Sequence, residues 1–190
     1  MAKTINALTM GLSGNIPGLG LTFRRGRDGS IHAMTTPLPS TKPATAAQEA
    51  TREQFREAAA AGREAVKDPA TKAYYAQFVD DVTASAYAAA MQDRLMPPTI
   101  KQVNVDDYTG QIGTPIRVTA FDNHGVTRVS VHIHNLDGSL VEEGDATQQA
   151  GTLQWVYTAR VRNASLTDDL ISVQAFDRAG NNVTFSQALA

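Results

Sequence analysis

The sequence contains no cysteine, so the fold has no disulfide, no thiolate metal site and no cysteine nucleophile. It also lacks the run of about eighteen apolar residues that a membrane-spanning helix needs. The first residues carry one lysine, and their apolar stretch is interrupted by Asn6, Thr9 and Gly11, so we recognise no signal peptide. These absences predict synthesis in the cytoplasm and no membrane span. They leave the final location unknown, since export as a filament or release in a particle needs no such signal.

The common catalytic motifs are missing as well. There is no Gly-x-Ser-x-Gly nucleophile elbow, no phosphate-binding loop, no metal-binding His-Glu helix and no recognisable pair of catalytic carboxylates. We therefore predict that the protein is not an enzyme, and we assign no catalytic residue, no cofactor and no metal ligand from the sequence.

Charge is distributed unevenly along the 190 residues, although the net charge is only −2. Residues 1–43 have five basic side chains and one acidic side chain, residues 44–96 have six and eight, and residues 97–190 have six and ten. A basic N-terminal segment therefore precedes an acidic body, and we divide the chain into domains at these boundaries.

Residues 1–43 predict a glycine-rich β-hairpin arm followed by a stiff linker. The segments Leu21–Arg25 and Ile31–Thr35 have strand-forming composition, and the Asp28-Gly29 pair between them favours a tight turn. Ile5 to Ile16 offers a further extended piece, and Pro37, Pro39 and Pro43 predict an extended linker. Because an isolated hairpin is marginally stable in water, this arm needs another surface to pack on.

Residues 44–96 predict a short, alanine-rich helical segment. Thr45 and Gln48 have the spacing of a capping box, and one apolar face follows. It consists of Phe55, Ala58, Ala59, Gly62, Ala65 and Val66. Asp68 and Pro69 predict the start of a second helix, which carries Tyr74, Tyr75, Phe78, Val79 and Val82. A third helical stretch begins near Ala84 and ends before Pro97-Pro98.

Residues 97–190 predict an antiparallel β-sandwich, which makes the fold class α+β. Seven strands are expected, at Thr99–Val105, Ile116–Phe121, Arg128–His134, Ser139–Glu143, Leu153–Val161, Leu170–Phe176 and Asn182–Gln187. Two of them repeat one pattern, because Ile-x-Val-x-Ala-Phe-Asp-x-x-Gly occurs at residues 116–125 and again at 171–180. Its alternation predicts strands with one buried face, and its aspartate and glycine predict turns. Trp155, the one tryptophan, is expected in the core or at an interface.

The ending Val173-Gln-Ala-Phe-Asp-Arg-Ala-Gly-Asn-Asn-Val-Thr resembles the last hairpin of bacterial immunoglobulin-like domains. That resemblance covers roughly the second half of the chain, and it implies an immunoglobulin-like antiparallel sandwich without implying one function. The first half is more loosely similar to uncharacterised bacterial proteins with a Ser-Gly-x-x-Gly hairpin, here Ser13 to Gly18, and a Lys-Pro-x-Thr-x-Ala-Gln helix start, here Lys42 to Gln48.

Three possible ligand sites have simpler structural explanations. His132 and His134 share one face of a strand and lie near His124 in sequence, a pattern that suits Zn²⁺ or Cu²⁺ and equally suits solvent-facing positions. Strand-end aspartates suit Ca²⁺ or ordinary turns; they are Asp106, Asp107, Asp122 and Asp177. A basic cluster suits phosphate contacts, but it is too small for a strong nucleic-acid site; it comprises Arg24, Arg25, Arg27 and Lys42.

The arm and the sandwich together predict a structural subunit that assembles with itself, as a filament or as part of a phage-like particle. A sheet arm that is not stable alone and a sandwich with open strand edges suit strand addition from one copy to the next. The expected interface residues are Leu21, Phe23, Arg24, Arg25, Ile31 and Met34. The alternative is a monomeric binding module for a surface glycan or protein, which would use the loops Asp122–Val126 and Asp177–Asn181.

Overall fold

The fold combines α-helices with antiparallel β-sheets. The computed structural model of the chain describes residues 13–16, 18–26, 28–36, 42–167 and 169–189. Those residues form three helices and eleven strands, and the strands make three antiparallel sheets. The α+β prediction is confirmed. The chain divides into two compact units between Thr45 and Ala46.

The described residues of the first unit form one three-stranded sheet. Its strands are β1 (Gly14–Ile16), β2 (Leu21–Arg25) and β3 (Ile31–Thr35), hydrogen-bonded in that order. The predicted bounds of β2 and β3 are confirmed, and Gly29 in the turn between them has a φ of 77°, a conformation that favours glycine. The predictions for residues 5–12, Lys3, Arg27, Pro37 and Pro39 lie outside the described residues.

Three helices open the second unit: α1 (Ala46–Ala65), α2 (Pro69–Ala76) and α3 (Ala86–Leu95). Asp68 caps α2 as predicted, since its carboxylate accepts a hydrogen bond from the Thr71 amide at 2.8 Å. Ser85 caps α3 by accepting from the Ala88 amide at 3.2 Å, a cap that the sequence analysis did not identify. None of these described helices has the length and hydropathy required to cross a bilayer.

Two details of the helical prediction are wrong. Phe55 was placed on the packed face of α1, but its side chain is 54% exposed, and the buried residues of that helix begin at Ala58. The second helix ends at Ala76, so Phe78, Val79 and Val82 lie beyond it. Asp80 explains part of this difference, because its carboxylate accepts hydrogen bonds from the Val82 and Thr83 amides and holds the chain in a turn.

Two four-stranded sheets complete the second unit. Their strands are β4 (Thr99–Asn104), β5 (Pro115–Phe121), β6 (Arg128–His134), β7 (Leu140–Asp145), β8 (Thr147–Gln148), β9 (Gln154–Thr158), β10 (Leu170–Phe176) and β11 (Asn182–Ala188). One sheet has the order β4-β5-β9-β8 and the other the order β11-β10-β6-β7. The short strand β8 was not predicted, and the strand expected at Leu153–Val161 is limited to β9.

The core lies between these two sheets, and the repeated sequence pattern forms much of it. Ile116, Val118 and Ala120 of β5 are at most 1% exposed, and Ile171, Val173 and Ala175 of β10 are fully buried. Val129, Val131 and Ile133 of β6 are buried as well, and Trp155 is 6% exposed. The prediction that the repeat encodes packing is confirmed. Burying such side chains contributes about 1.5–3 kcal/mol each.

One charged side chain is built into the edge of this core. Glu142 of β7 is 6% exposed, and its Oε2 accepts hydrogen bonds from the Tyr157 hydroxyl at 2.8 Å and from the Arg160 and Val161 amides at 2.9 and 3.3 Å. Burial and the nearby carboxylate raise the pKa of Tyr157. Glu142 thus joins β7 to the end of β9.

We expect Glu142→Ala to lower the free energy of unfolding by about 3 kcal/mol, because it leaves one buried hydroxyl and two amides without their acceptor. Tyr157→Phe removes one donor and should cost about 1 kcal/mol. Urea denaturation followed by circular dichroism measures both. Glu143→Ala is the matched control, since Glu143 is exposed and should change stability by less than about 1 kcal/mol. Equal effects of Glu142→Ala and Glu143→Ala would contradict this account of the core edge.

Candidate functional site

Polar side chains from two separate parts of the second unit converge at one end of the sandwich. Asp93 comes from α3, and Asp122 and His124 come from the loop after β5. One ligand atom from each of these three residues lies within 4.8 Å of the other two. We call Asp93, Asp122 and His124 the acidic cluster.

Asp93 lies on the buried face of a helix that is otherwise lined with alanine. Ala86, Ala89 and Ala90 share that face, and Asp93 is 0% exposed. Its Oδ2 accepts a 2.6 Å hydrogen bond from the hydroxyl of Tyr75, which is buried on α2. A carboxylate in the last turns of a helix also opposes the helix dipole. The buried charge of Asp93 therefore lowers the stability of the fold, and a contribution to stability does not explain why an aspartate occupies this position.

The loop after β5 holds His124 against Asp93. Asp122 Oδ1 accepts from the His124 amide at 2.7 Å, and Gly125 follows with a φ of 100°. The imidazole ring lies edge-on to Phe78, with 4.9 Å between ring centroids. Its Nδ1 is 3.8 Å from Asp93 Oδ1, too far for a hydrogen bond. Both atoms are buried without a hydrogen-bond partner.

A second aspartate, from the turn after β10, ties the hairpin to α3. Asp177 accepts from the backbone and side-chain nitrogens of Asn181 at 2.7 and 2.6 Å. Asn181 Nδ2 also donates to the backbone carbonyl of Asp93 at 2.8 Å, and Asn181 Oδ1 accepts from Arg94 Nη1 at 2.7 Å. Asn181 is thus the direct link between the β10–β11 hairpin and the helix that carries Asp93.

The surroundings change the proton affinity of each group in the acidic cluster. Burial raises the pKa of Asp93 to about 6, and the charges of Asp177 and Asp122 add to that effect against the Tyr75 hydrogen bond. Burial likewise raises the pKa of Asp122 and lowers that of His124. Both carboxyl groups and the imidazole are therefore biased toward their neutral forms, mainly because burial disfavours the charged form of each.

A cleft of about 270 Å³ leads to the imidazole. Its walls come from the end of α2, the following turn, α3 and the loop after β5, and they include Phe78, Thr83, Gln92 and Asn123. His124 lines this cleft although only 3% of the residue is exposed. Of the three residues of the acidic cluster, His124 is the one that lines this cleft.

Only some of the residues singled out in the sequence meet here. Asp122, Asp177 and His124 come together at this end of the sandwich. His132 and His134 remain on β6, where His132 pairs with Glu143 at 3.0 Å. Asp107 pairs with Arg117, and Asp106 accepts from Asn104 at 2.7 Å. The histidines and strand-end aspartates that could have formed two larger ligand sets are therefore not brought together as sets.

The predicted interface residues are divided between the two faces of the first unit. The register pairs Leu21 with Thr35, Phe23 with Ala33, and Arg25 with Ile31, so these residues share one face with Ile16. Arg24 and Met34 belong to the other face, together with Thr22 and His32. Met34 therefore does not extend the apolar face of Leu21, Phe23 and Ile31.

Asp93 and Tyr75 are the residues that the sequence analysis missed. Positions 86, 89, 90 and 93 follow the three-four spacing of one helix face, and Asp93 is the charged residue among three alanines. A carboxylate at a position that the pattern predicts to be buried was the available signal. The partner of Asp93 was not predictable, because His124 lies 31 positions away on a loop.

We expect Asn181→Ala to lower the free energy of unfolding by about 2 kcal/mol, because it removes two side-chain hydrogen bonds that join the hairpin to α3 and a third, to Asp177, within the hairpin. Asn182→Ala is the control on the neighbouring exposed asparagine, and it should change stability by no more than about 0.5 kcal/mol. Urea denaturation compares the two variants. If both variants unfold at the wild-type midpoint, Asn181 does not hold the helix in place.

Comparison with known proteins does not assign the chain to a family. No protein-family model matches the chain, and no curated protein matches it. Among solved structures, the chain is similar to the crystal structure of an engineered protein, with 19% sequence identity and a TM-score of 0.34. The match covers 55% of this chain and 27% of that one, so the chain spans about a quarter of the length of the protein it matches.

Proposed function

We propose that this protein is a structural subunit that assembles head to tail, with the first unit of one copy packing on the second unit of the next. The observation that carries the proposal is the apolar face of the three-stranded sheet. Ile16, Leu21, Phe23 and Ile31 share that face, yet no described residue of the three strands is buried. Among the described residues of the first unit, no second layer of secondary structure covers that face.

The open edges of the sandwich support the same proposal. Strand β11 lies at the edge of its sheet, extends over seven residues and carries no charged side chain. Proteins usually protect a long edge strand with charge or proline, because its free amides and carbonyls pair readily with another strand. The other edges of the two sheets carry Lys101 on β4, acidic residues on β7, and only two residues on β8. Strand β11 is therefore the edge we assign to strand addition.

Charge supports a contact between unlike ends of two copies. The first 43 residues carry a net charge of +4, and the remaining residues carry −6. Arg24 and Arg25 are exposed and point to opposite faces of the sheet, so one basic side chain is available on each side. Such complementarity favours head-to-tail over head-to-head association, and a head-to-tail contact that does not close gives a fibre.

We also propose that residues 97–190 are an immunoglobulin-like domain. If β4 to β11 are named A, B, C, C′, D, E, F and G, the two sheets have the orders A-B-E-D and G-F-C-C′, and immunoglobulin-like domains have sheets of this kind. Trp155 departs from the antibody pattern, because it lies on β9 and not on the third strand of the sandwich. This domain type supplies a rigid body and does not by itself specify a function.

The monomeric binding module receives no such support. Its expected contact loops, Asp122–Val126 and Asp177–Asn181, are the ones that lie against the helices. The Tyr74 hydroxyl donates to the carbonyl of His124, the Arg178 guanidinium lies 4.3 Å from the centre of the Tyr74 ring, and Asp177 is 5% exposed. Contacts with α2 therefore involve both loops.

Substitutions on the two faces of the three-stranded sheet test the proposal. Sedimentation velocity and negative-stain microscopy of the intact chain should show large assemblies, and Phe23→Ser should abolish them because it places a hydroxyl on the packed face. Met34→Ser is the control, since it removes an exposed hydrophobic side chain from the opposite face of the same sheet. We expect the Met34→Ser variant to form large assemblies in an amount within a few-fold of the wild-type amount.

Deletion of residues 1–41 completes the test. The shortened chain should sediment as a monomer while retaining the circular dichroism of the sandwich. A wild-type chain that remains monomeric over the whole accessible concentration range would contradict the proposal. A Phe23→Ser variant that assembles like wild type would also contradict it.

A further inference from the structure

We infer that Asp93, Asp122 and His124 bind one divalent transition-metal ion, of the Zn²⁺ or Mn²⁺ class, which holds the helices on the end of the sandwich. This inference is independent of self-assembly. It concerns the second unit alone, and it does not involve the interface residues of the first.

The two unpartnered atoms are the main support. Asp93 Oδ1 and His124 Nδ1 belong to side chains that are 0% and 4% exposed, and each lacks a hydrogen-bond partner. Buried polar atoms in proteins are nearly always satisfied, so a pair of orphans that face each other requires an explanation. Their separation of 3.8 Å is too long for a direct hydrogen bond. It suits two ligands of one ion, because metal-to-ligand distances of about 2.0–2.2 Å place neighbouring ligand atoms roughly 3–4 Å apart.

Asp122 and a set of outer hydrogen bonds complete the proposed site. Asp122 brings a third ligand atom within 4.8 Å of the other two. The Tyr75 hydroxyl donates to Asp93 Oδ2, and the His124 amide donates to Asp122 Oδ1, so both carboxylates are oriented by outer hydrogen bonds. An open cleft of about 270 Å³ lies beside the proposed site and is lined by His124.

The ligand set selects the class of ion. Calcium and magnesium favour sites made entirely of oxygen, whereas an imidazole nitrogen favours zinc and other transition ions. One imidazole and two carboxylates make a mixed site that suits Zn²⁺ and also Mn²⁺. A bound ion would also offset the repulsion among Asp93, Asp122 and the nearby Asp177.

The competing explanation is a cluster without metal, in which a proton shared between Asp93 and His124, or a water between them, supplies the missing partner. Asp93→Asn separates the two cases. Its amide oxygen still accepts from Tyr75, while its Nδ2 donates to a neutral His124 Nδ1. In a cluster without metal this variant should be as stable as wild type or more stable, whereas in a metal site it loses a ligand.

The experiment uses the full-length chain without a histidine tag, freed of metal with a chelator that is then removed. Isothermal titration with ZnCl₂ and with MnCl₂ should show one ion bound per chain. Free metal at about 100 times its dissociation constant should raise the melting temperature by about 5–10 °C. Asp93→Asn, Asp122→Asn and His124→Ala should each weaken binding by at least about 100-fold. His132→Ala is the control for a histidine outside the cluster, and it should bind like wild type.

Several results would overturn the inference. One is the absence of stoichiometric binding of either ion to the wild-type chain. Another is undiminished binding by Asp93→Asn and His124→Ala, with circular dichroism showing that both variants are folded. Tight binding of Ca²⁺ with none of Zn²⁺ or Mn²⁺ would exclude His124 as a ligand and would contradict the assigned class.

Discussion

The burial of Asp93 is the constraint on which the arrangement of the second unit depends. A carboxylate removed from water must be satisfied by specific partners, because its desolvation is costly. Tyr75 on α2 supplies one partner, and the His124 imidazole faces the other oxygen. The Tyr75 hydrogen bond therefore fixes α2 against α3, and the ion proposed above would fix the loop after β5 against both. The buried residues of the helical cluster are Tyr75 and three alanines, and an alanine side chain has little apolar area to bury.

The sandwich was the most predictable part of the fold, and its repeated pattern explains why. In β5 and β10 the alternation of Ile, Val and Ala with polar residues matches the two-residue period of a strand, so the buried side chains follow directly from sequence. The glycines that end the two copies, Gly125 and Gly180, both have positive φ, which the turn pattern anticipated. Pairing partners in the sheets were harder to foresee, because strand order is set by long-range contacts.

The acidic cluster was less predictable than the strands that position it. Asp122 and Asp177 occupy the same place in the two copies of the pattern, and both were identified as turn residues. The difference between the turns is informative, since His124 in the first copy stands where Ala179 stands in the second. Its importance depends on Asp93, and no local pattern relates a helix position to a loop 31 residues further on. Local periodicity predicted the elements, and tertiary packing decided which side chains meet.

The two parts of the second unit are held together by different kinds of interaction, and this difference predicts how the unit opens. The sandwich core consists mainly of buried apolar side chains, and Ile116, Val131 and Ile171 are fully buried in it. The helices are attached to the sandwich mainly through polar contacts, in which Asn181, Tyr74 and Arg94 take part. Regions with few buried apolar contacts open locally at lower free energy than the core. We therefore expect amide hydrogen exchange to be faster in α2 and α3 than in β5 and β10. Strengthening the polar contacts at the end of the sandwich should slow exchange in α2 and α3 and leave exchange in β5 and β10 unchanged.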